Sequence, residues 1–167
     1  MVIFLAGRSR INDRSLHNRI KNRLQSDEVF EEVSLQVANR RDPGPYRVIA
    51  HTDPRGFLED ASYPTTTARL EIGFDTNAPA EYEYYWINWI EPERQLMVGW
   101  HQDDDHEPLG PVHLQVNQET QAIAHTAAHF VDEHPMSVLD ARLQQLPAAV
   151  SAIEWDGKSV IGIEWET

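Results

Sequence analysis

The residues best suited to chemistry lie between Trp100 and His113. This stretch, Trp-His-Gln-Asp-Asp-Asp-His-Glu-Pro-Leu-Gly-Pro-Val-His, holds three histidines and four carboxylates in fourteen residues. Imidazole is the side chain whose ordinary pKa lies closest to neutral, so such a cluster favours proton transfer or metal binding. The sequence leaves open which of the two occurs here, and whether either does.

Acid–base cleavage of RNA is one chemistry that this spacing allows. Of the pair His106 and His113, one imidazole would take the proton of a ribose 2′-hydroxyl, and the other would protonate the leaving 5′-oxygen. We expect the Pro-Leu-Gly-Pro turn between them to let both rings reach one substrate, and Asp105 to orient a neighbouring imidazole. This reaction requires no metal and no cofactor.

A metal site is the second interpretation of the histidines. His and Asp ligands suit Zn, Mn or Fe(II). His125 and His129 add two imidazoles four residues apart, which would share one face if this segment were helical. Thr126 stands where the His-Glu-x-x-His metalloprotease motif requires glutamate, so that motif is absent.

A third interpretation assigns the histidines no chemistry at all. The three consecutive aspartates would then be a solvated acidic turn, and the histidines would cap or hydrogen-bond to loop backbone. The chain has no phosphate-binding glycine loop, dinucleotide fingerprint, serine nucleophile motif or zinc-finger spacing. It also has no cysteine, which excludes disulfides and thiolate metal sites.

The charge of the chain is strongly negative and unevenly spread. The net charge is −13, and only Lys21 and Lys158 are lysines. High acidity with little lysine is typical of proteins from extreme halophiles, and molar salt shortens the screening length to about 3 Å. Residues 1–56 carry ten basic and seven acidic residues, whereas the remainder carries four and twenty. A mildly basic first third therefore precedes a very acidic body.

The beginning of the chain predicts a strand and then a helix. The apolar run Met1 to Ala6 is interpreted as a short buried strand ended by Gly7, and it is too short to span a bilayer. A helix capped by Asn12 or Asp13 follows, because apolar residues recur every four positions, at Leu16, Ile20 and Leu24. Its flanks carry Arg14, Arg19, Lys21 and Arg23.

Alternation of apolar and polar residues predicts the central sheet. Consecutive alternating or aromatic segments with short connections are typical of an antiparallel meander; they are Leu70 to Phe74, Glu81 to Ile90, Gln95 to Trp100 and Val112 to Val116. A leucine-spaced helix from Met136 ends or kinks at Pro147, and Asp156-Gly157 favours a hairpin turn. The sequence therefore predicts an α+β fold in a single domain over residues 1–167. It is an antiparallel β-meander with a basic N-terminal helix and a C-terminal helix packed on it, ending in a short β-hairpin.

The middle of the chain carries a pattern seen in a known family. The aromatic strand Glu83-Tyr84-Tyr85-Trp86-Ile87-Asn88-Trp89 precedes a strand ending in Trp100-His101-Gln102-Asp103 and a His-containing motif from His106 to His113. From about Ala68 to Asn117 this arrangement resembles the TumE-like toxins of type II toxin–antitoxin systems, and the leucine-spaced helix continues the resemblance. It implies a small α+β fold, RNA cleavage and neutralisation by a DNA-binding antitoxin.

Together these observations lead us to expect a halophilic, cytoplasmic, toxin-like ribonuclease that needs no metal. The resemblance implies His106 and His113 as the catalytic pair, with His101 and Asp105 as helpers. We expect arginines to hold the RNA phosphate, at Arg69, Arg94, Arg19 and Arg23. The expected partners are RNA and a cognate antitoxin protein, with no membrane. Two alternatives stay open, a non-enzymatic protein-interaction module of a halophile and a His/Asp metal-binding protein.

Overall fold

The computed structural model describes residues 2–37, 46–75, 84–103 and 107–166, with side chains from Arg14 onward except that of Glu107. Among these residues there are three α-helices, α1 (Val2–Gln25), α2 (Pro54–Phe57) and α3 (Pro135–Ser151). The strands are β1 (Glu31–Val37), β2 (Tyr46–Thr52), β3 (Ala68–Asp75), β4 (Tyr84–Glu91), β5 (Leu96–Gln102), β6 (Val112–Gln118), β7 (Gln121–Ala127), β8 (Ile153–Asp156) and β9 (Ser159–Ile163).

Strands β1 to β7 form one antiparallel sheet in sequence order, and β8 and β9 form a separate hairpin. Side chains alternate between the two faces of a strand, and β4 shows this clearly, because Tyr85, Ile87 and Trp89 are buried while their neighbours are half-exposed. Helix α1 packs against β1, β2 and β3, and α3 packs against β4 and β5. Buried residues of both helices join the same core cluster, so both helices cover one face of the sheet.

The other face of the sheet, here called the polar face, carries the residues between the buried ones. Strand register places Gly73, Trp86, His101 and His113 in one row across β3, β4, β5 and β6. This face is where the histidines of the central strands lie, because the apolar residues of the same strands face the helices.

The predicted α+β fold is confirmed, with a meander, two terminal helices and a final hairpin. The prediction missed β7, whose residues are mostly small or polar and at best half-buried. It was wrong for Met1 to Ala6, since one continuous helix begins at Val2. A short apolar run fits a strand or a buried helix turn equally well, and the helix-forming residues after it extend the helix backwards.

Two further predictions about helices were wrong. Helix α3 does not end at Pro147 but continues to Ser151, because Ala149 and Val150 are buried and hold the last turn against the core. The segment with His125 and His129 is not helical: His125 lies in β7 and His129 lies after that strand, so the two rings do not share a helix face. Among the described helices, none combines the length and apolarity that a membrane crossing requires.

Candidate functional site

Two of the predicted histidines face each other across neighbouring strands. In the antiparallel pair of β5 and β6, His101 is directly opposite His113, so both side chains point to the polar face. Their ring centroids are 5.6 Å apart, and the ring planes are inclined at 63°. His113 is completely buried, whereas His101 is partly exposed. The pair therefore has one protected ring and one ring at the surface.

A carboxylate joins this pair from the end of β5. Asp103 follows His101 by two residues, and an extended chain therefore brings it back to the same face. Its backbone N–H donates to the carbonyl of Pro111 at 3.2 Å, which ties the two sides of the intervening loop together. Its Oδ2 lies 3.8 Å from Nε2 of His113. One potential ligand atom from each of His101, Asp103 and His113 lies within 4.8 Å of the other two.

The orientation of His101 is set by its neighbour on β4. Nε2 of His101 lies 2.7 Å from Oδ1 of Asn88, a hydrogen bond in which the ring nitrogen donates. The tautomer with the proton on Nε2 carries its lone pair on Nδ1. Asn88 can lie across the sheet because Gly99 beside it has no side chain; an added Cβ would stand 2.2 Å from Oδ1 of Asn88. A glycine and an amide together aim this imidazole.

A third imidazole extends the group towards the edge of the sheet. His125 on β7 lies diagonally next to His113, with ring centroids 5.6 Å apart. Three imidazoles thus follow one another across β5, β6 and β7. Protonation of neighbouring rings would place like charges side by side around a buried residue, which is unfavourable. A divalent metal, in contrast, binds neutral imidazoles.

The predicted catalytic residues are only partly within the described chain. The structure brings His101 and His113 together, whereas His106 and Asp105 lie outside the described residues. The convergence of His106 and His113 therefore stays a prediction. The carboxylate that the structure describes beside the histidines is Asp103, and alternation along β5 was the sequence signal that could have found it, since residues 101 and 103 share one face of a strand.

The arginines predicted to hold phosphate are dispersed. Arg69 lies on β3 and donates from Nε to Glu71 at 2.9 Å, and Arg94 lies at the opposite end of β5 from His101. Arg19 is exposed on α1, and Arg23 on the same helix pairs with Asp140 at 3.3 Å. Helix α1 covers the other face of the sheet. None of these four arginines contacts His101, Asp103 or His113 among the described residues.

Comparison with known proteins leaves the chain on its own. It matches no protein-family model, no curated protein and no solved structure. The resemblance to TumE-like toxins consequently stays a prediction from the sequence, and the argument about function depends on the geometry of the histidine group.

Proposed function

We propose that this protein binds a divalent transition-metal ion through His101, Asp103 and His113. The observation that supports this is the convergence of two imidazoles and one carboxylate, all within 4.8 Å of one another, on the polar face of the sheet. Two histidines and one carboxylate are a ligand set used for non-haem Fe(II) and for catalytic Zn. We consequently favour the metal-binding alternative of the sequence analysis.

The present distances are close to those of a coordinated ion. Metal–ligand bonds of about 2.1 Å in tetrahedral geometry place ligand atoms ~3.4 Å apart. The measured separation between Asp103 Oδ2 and His113 Nε2 is 3.8 Å, so a closure of less than an ångström suffices for this pair. Asp103 is the ligand able to move, because its side chain is 26% exposed and it follows the last residue of β5.

The surrounding residues favour coordination in two ways. The hydrogen bond from His101 Nε2 to Asn88 leaves Nδ1 as the nitrogen with a lone pair, and such a partner on the second ring nitrogen is the usual support of a metal-binding histidine. His113 is buried, which excludes competing water from one side of the ion. Three protein ligands leave at least one position for water or substrate, where an ion would act as a Lewis acid or supply hydroxide.

The metal-independent ribonuclease remains a separate proposal, together with its antitoxin partner, its halophilic origin and its cytoplasmic location. It needs His113 to reach an RNA phosphate. Because His113 has no exposed surface, that contact would require the sheet around it to open. Coordination of an ion by the same residue needs no such opening. The burial of His113 is therefore the reason for preferring the metal site.

The test is metal content with and without the proposed ligands. Untagged chain, purified without chelator, is expected to carry about one Zn, Mn or Fe per molecule by elemental analysis. Asp103→Asn should lose most of it while keeping its fold, since the change is isosteric at a partly exposed position. His129→Gln, at an exposed histidine outside the group, is the matched control and should retain it.

The same preparations separate the two proposals for the site. RNA cleavage that persists in EDTA, and is lost in a His106→Ala variant, would favour the metal-independent ribonuclease. Metal loading that is equal in the native chain and in Asp103→Asn would remove the metal proposal.

A further inference from the structure

A cavity of about 580 Å³ lies at the end of the sheet opposite the histidine group. Its walls come from the segment before β3, the turn between β4 and β5, the turn between β6 and β7, and the β8–β9 hairpin. The side chains that matter for its chemistry are Thr65, Glu93, Arg94, Glu119, Trp155 and Lys158. A cavity of this volume is in the range of small-molecule sites.

The hairpin wall is fixed to the sheet by one residue of β6. The side-chain amide of Gln118 donates to the carbonyl of Lys158 at 2.9 Å, and its Oε1 accepts from the backbone N–H of Val160 at 2.8 Å. The amide also approaches the carbonyl of Arg94 at 3.3 Å. Because one side chain bonds both to the hairpin and to the β4–β5 turn, the walls of the cavity are held apart at a set distance.

Arg94 is held rigidly in the cavity wall. Its guanidinium carbon lies 4.2 Å from the ring centroid of Trp155 and 4.9 Å from that of Tyr63. Its Nε donates to Oε2 of the buried Glu91 at 2.7 Å, and its Nη2 donates to the hydroxyl of Tyr63. A guanidinium has five N–H donors. Described residues therefore use two of them, and the others are available to a ligand without any rearrangement.

Charges of both signs line the cavity. Lys158 makes no ion pair with any described residue, and the same holds for Glu119. Glu93 accepts hydrogen bonds from the Thr66 backbone N–H and from the hydroxyls of Thr66 and Thr67, which lower the pKa of Glu93 below its ordinary value. A simple anion such as phosphate would meet two carboxylates here, and a simple cation would meet Arg94 and Lys158. A ligand that carries both signs avoids both conflicts.

One wall also holds an unsatisfied polar group. Thr65 is only 2% exposed, and its hydroxyl has no hydrogen-bond partner in the described part of the chain. Buried hydroxyls are nearly always paired, so an unpaired one in a cavity wall indicates a missing partner. The indole of Trp155 supplies an apolar surface in the same cavity.

We infer that this cavity binds a free α-amino acid. The carboxylate of the ligand pairs with Arg94 and Lys158, the ammonium group pairs with Glu119 and Glu93, and the side chain packs on Trp155. Arginine is suited to the carboxylate because its planar N–H groups match two oxygens at once. The inference is independent of the metal site, which shares none of these residues.

The experiment is saturation-transfer NMR on the purified native chain with the twenty amino acids in small mixtures, followed by calorimetric titration of those that give signal. We expect at least one amino acid to bind. Its N-acetyl derivative, which lacks the ammonium, and its amide, which lacks the carboxylate, should each bind about tenfold more weakly or not at all, because each loses a charge-assisted hydrogen bond.

Two variants test the assignment of the charges. Lys158→Ala and Glu119→Gln should each weaken binding by about tenfold. Lys21→Ala is the matched control, since Lys21 is the other lysine of the chain and lies on α1. The inference is overturned if no amino acid binds, if the blocked derivatives bind as well as the free amino acid, or if Lys158→Ala binds like Lys21→Ala.

Discussion

Replacing Gly99 by alanine should weaken metal binding at a residue that touches no ion. A Cβ at this position would stand 2.2 Å from Oδ1 of Asn88, 2.5 Å from the carbonyl oxygen of Ile87 and 2.9 Å from Cα of Asn88. The first contact forces the amide away from His101, and the other two are with backbone of the neighbouring strand, which cannot give way cheaply. The substitution thus removes the hydrogen bond that orients His101 and strains the pairing of β4 with β5.

The size of both effects follows from these contacts. Overpacking costs ~1–3 kcal/mol, and Gly→Ala ordinarily gains ~0.4–1 kcal/mol by restricting the unfolded chain, so a net loss of roughly 1–2 kcal/mol is expected. For a chain of this length that lowers Tm by roughly 2–8 °C. Loss of the hydrogen-bond partner of a metal-binding histidine weakens affinity by about 10–100-fold.

Competitive titration with a chromophoric chelator measures the affinity, and thermal unfolding of the metal-free protein measures the stability. Asn88→Ala removes the same hydrogen bond without the clash, and it should show a similar loss of affinity with a smaller loss of stability. Gly162→Ala is the control, because its Cβ would meet only the flexible end of Glu154 at 2.8 Å. If Gly99→Ala binds metal within twofold of the native chain, the assigned role of Asn88 is wrong.

Three further predictions concern charged groups elsewhere. Glu91→Gln should lower the free energy of unfolding in urea by about 3 kcal/mol, because it leaves Arg94 without its buried partner; a loss below ~1 kcal/mol would contradict this. Glu93 should titrate below 4.5 by carbon NMR, so its contribution to stability is complete above that pH and is lost as the pH falls through the lowered pKa. A midpoint at or above 4.5 would exclude the hydrogen bonds assigned to it. Burial raises the pKa of Tyr85 and the charge of Arg142 opposes that rise, so Arg142→Met should raise the pKa further in an ultraviolet titration.

The sheet was predictable where one face is buried and the other is not. In β3 to β6 the alternation of apolar and polar residues reports this difference directly. Strand β7 lacks the signal, because its half-buried residues include Ala124 and Thr126 as well as Ile123, and no apolar face stands out. The start of α1 failed for a different reason, since six apolar residues are too few to distinguish a period of two from a period of 3.6.

The candidate site was predictable in its residue types but not in its members. The sequence identified the histidine-rich segment and named His101 and His113. It could not supply the register that places them opposite each other, nor the closeness of Asn88, which is thirteen residues away along the chain. Register depends on the pairing of whole strands, so Asp103 and Asn88 became visible only with the structure.

Anomalous diffraction from crystals grown with Zn²⁺ would test the central claim most directly. With data collected on both sides of the zinc absorption edge, we predict one strong difference peak at about 2.0–2.2 Å from a ring nitrogen of His101, a ring nitrogen of His113 and a carboxylate oxygen of Asp103. Zinc bound elsewhere while these three side chains keep their present separations, or no peak at all, would contradict the account.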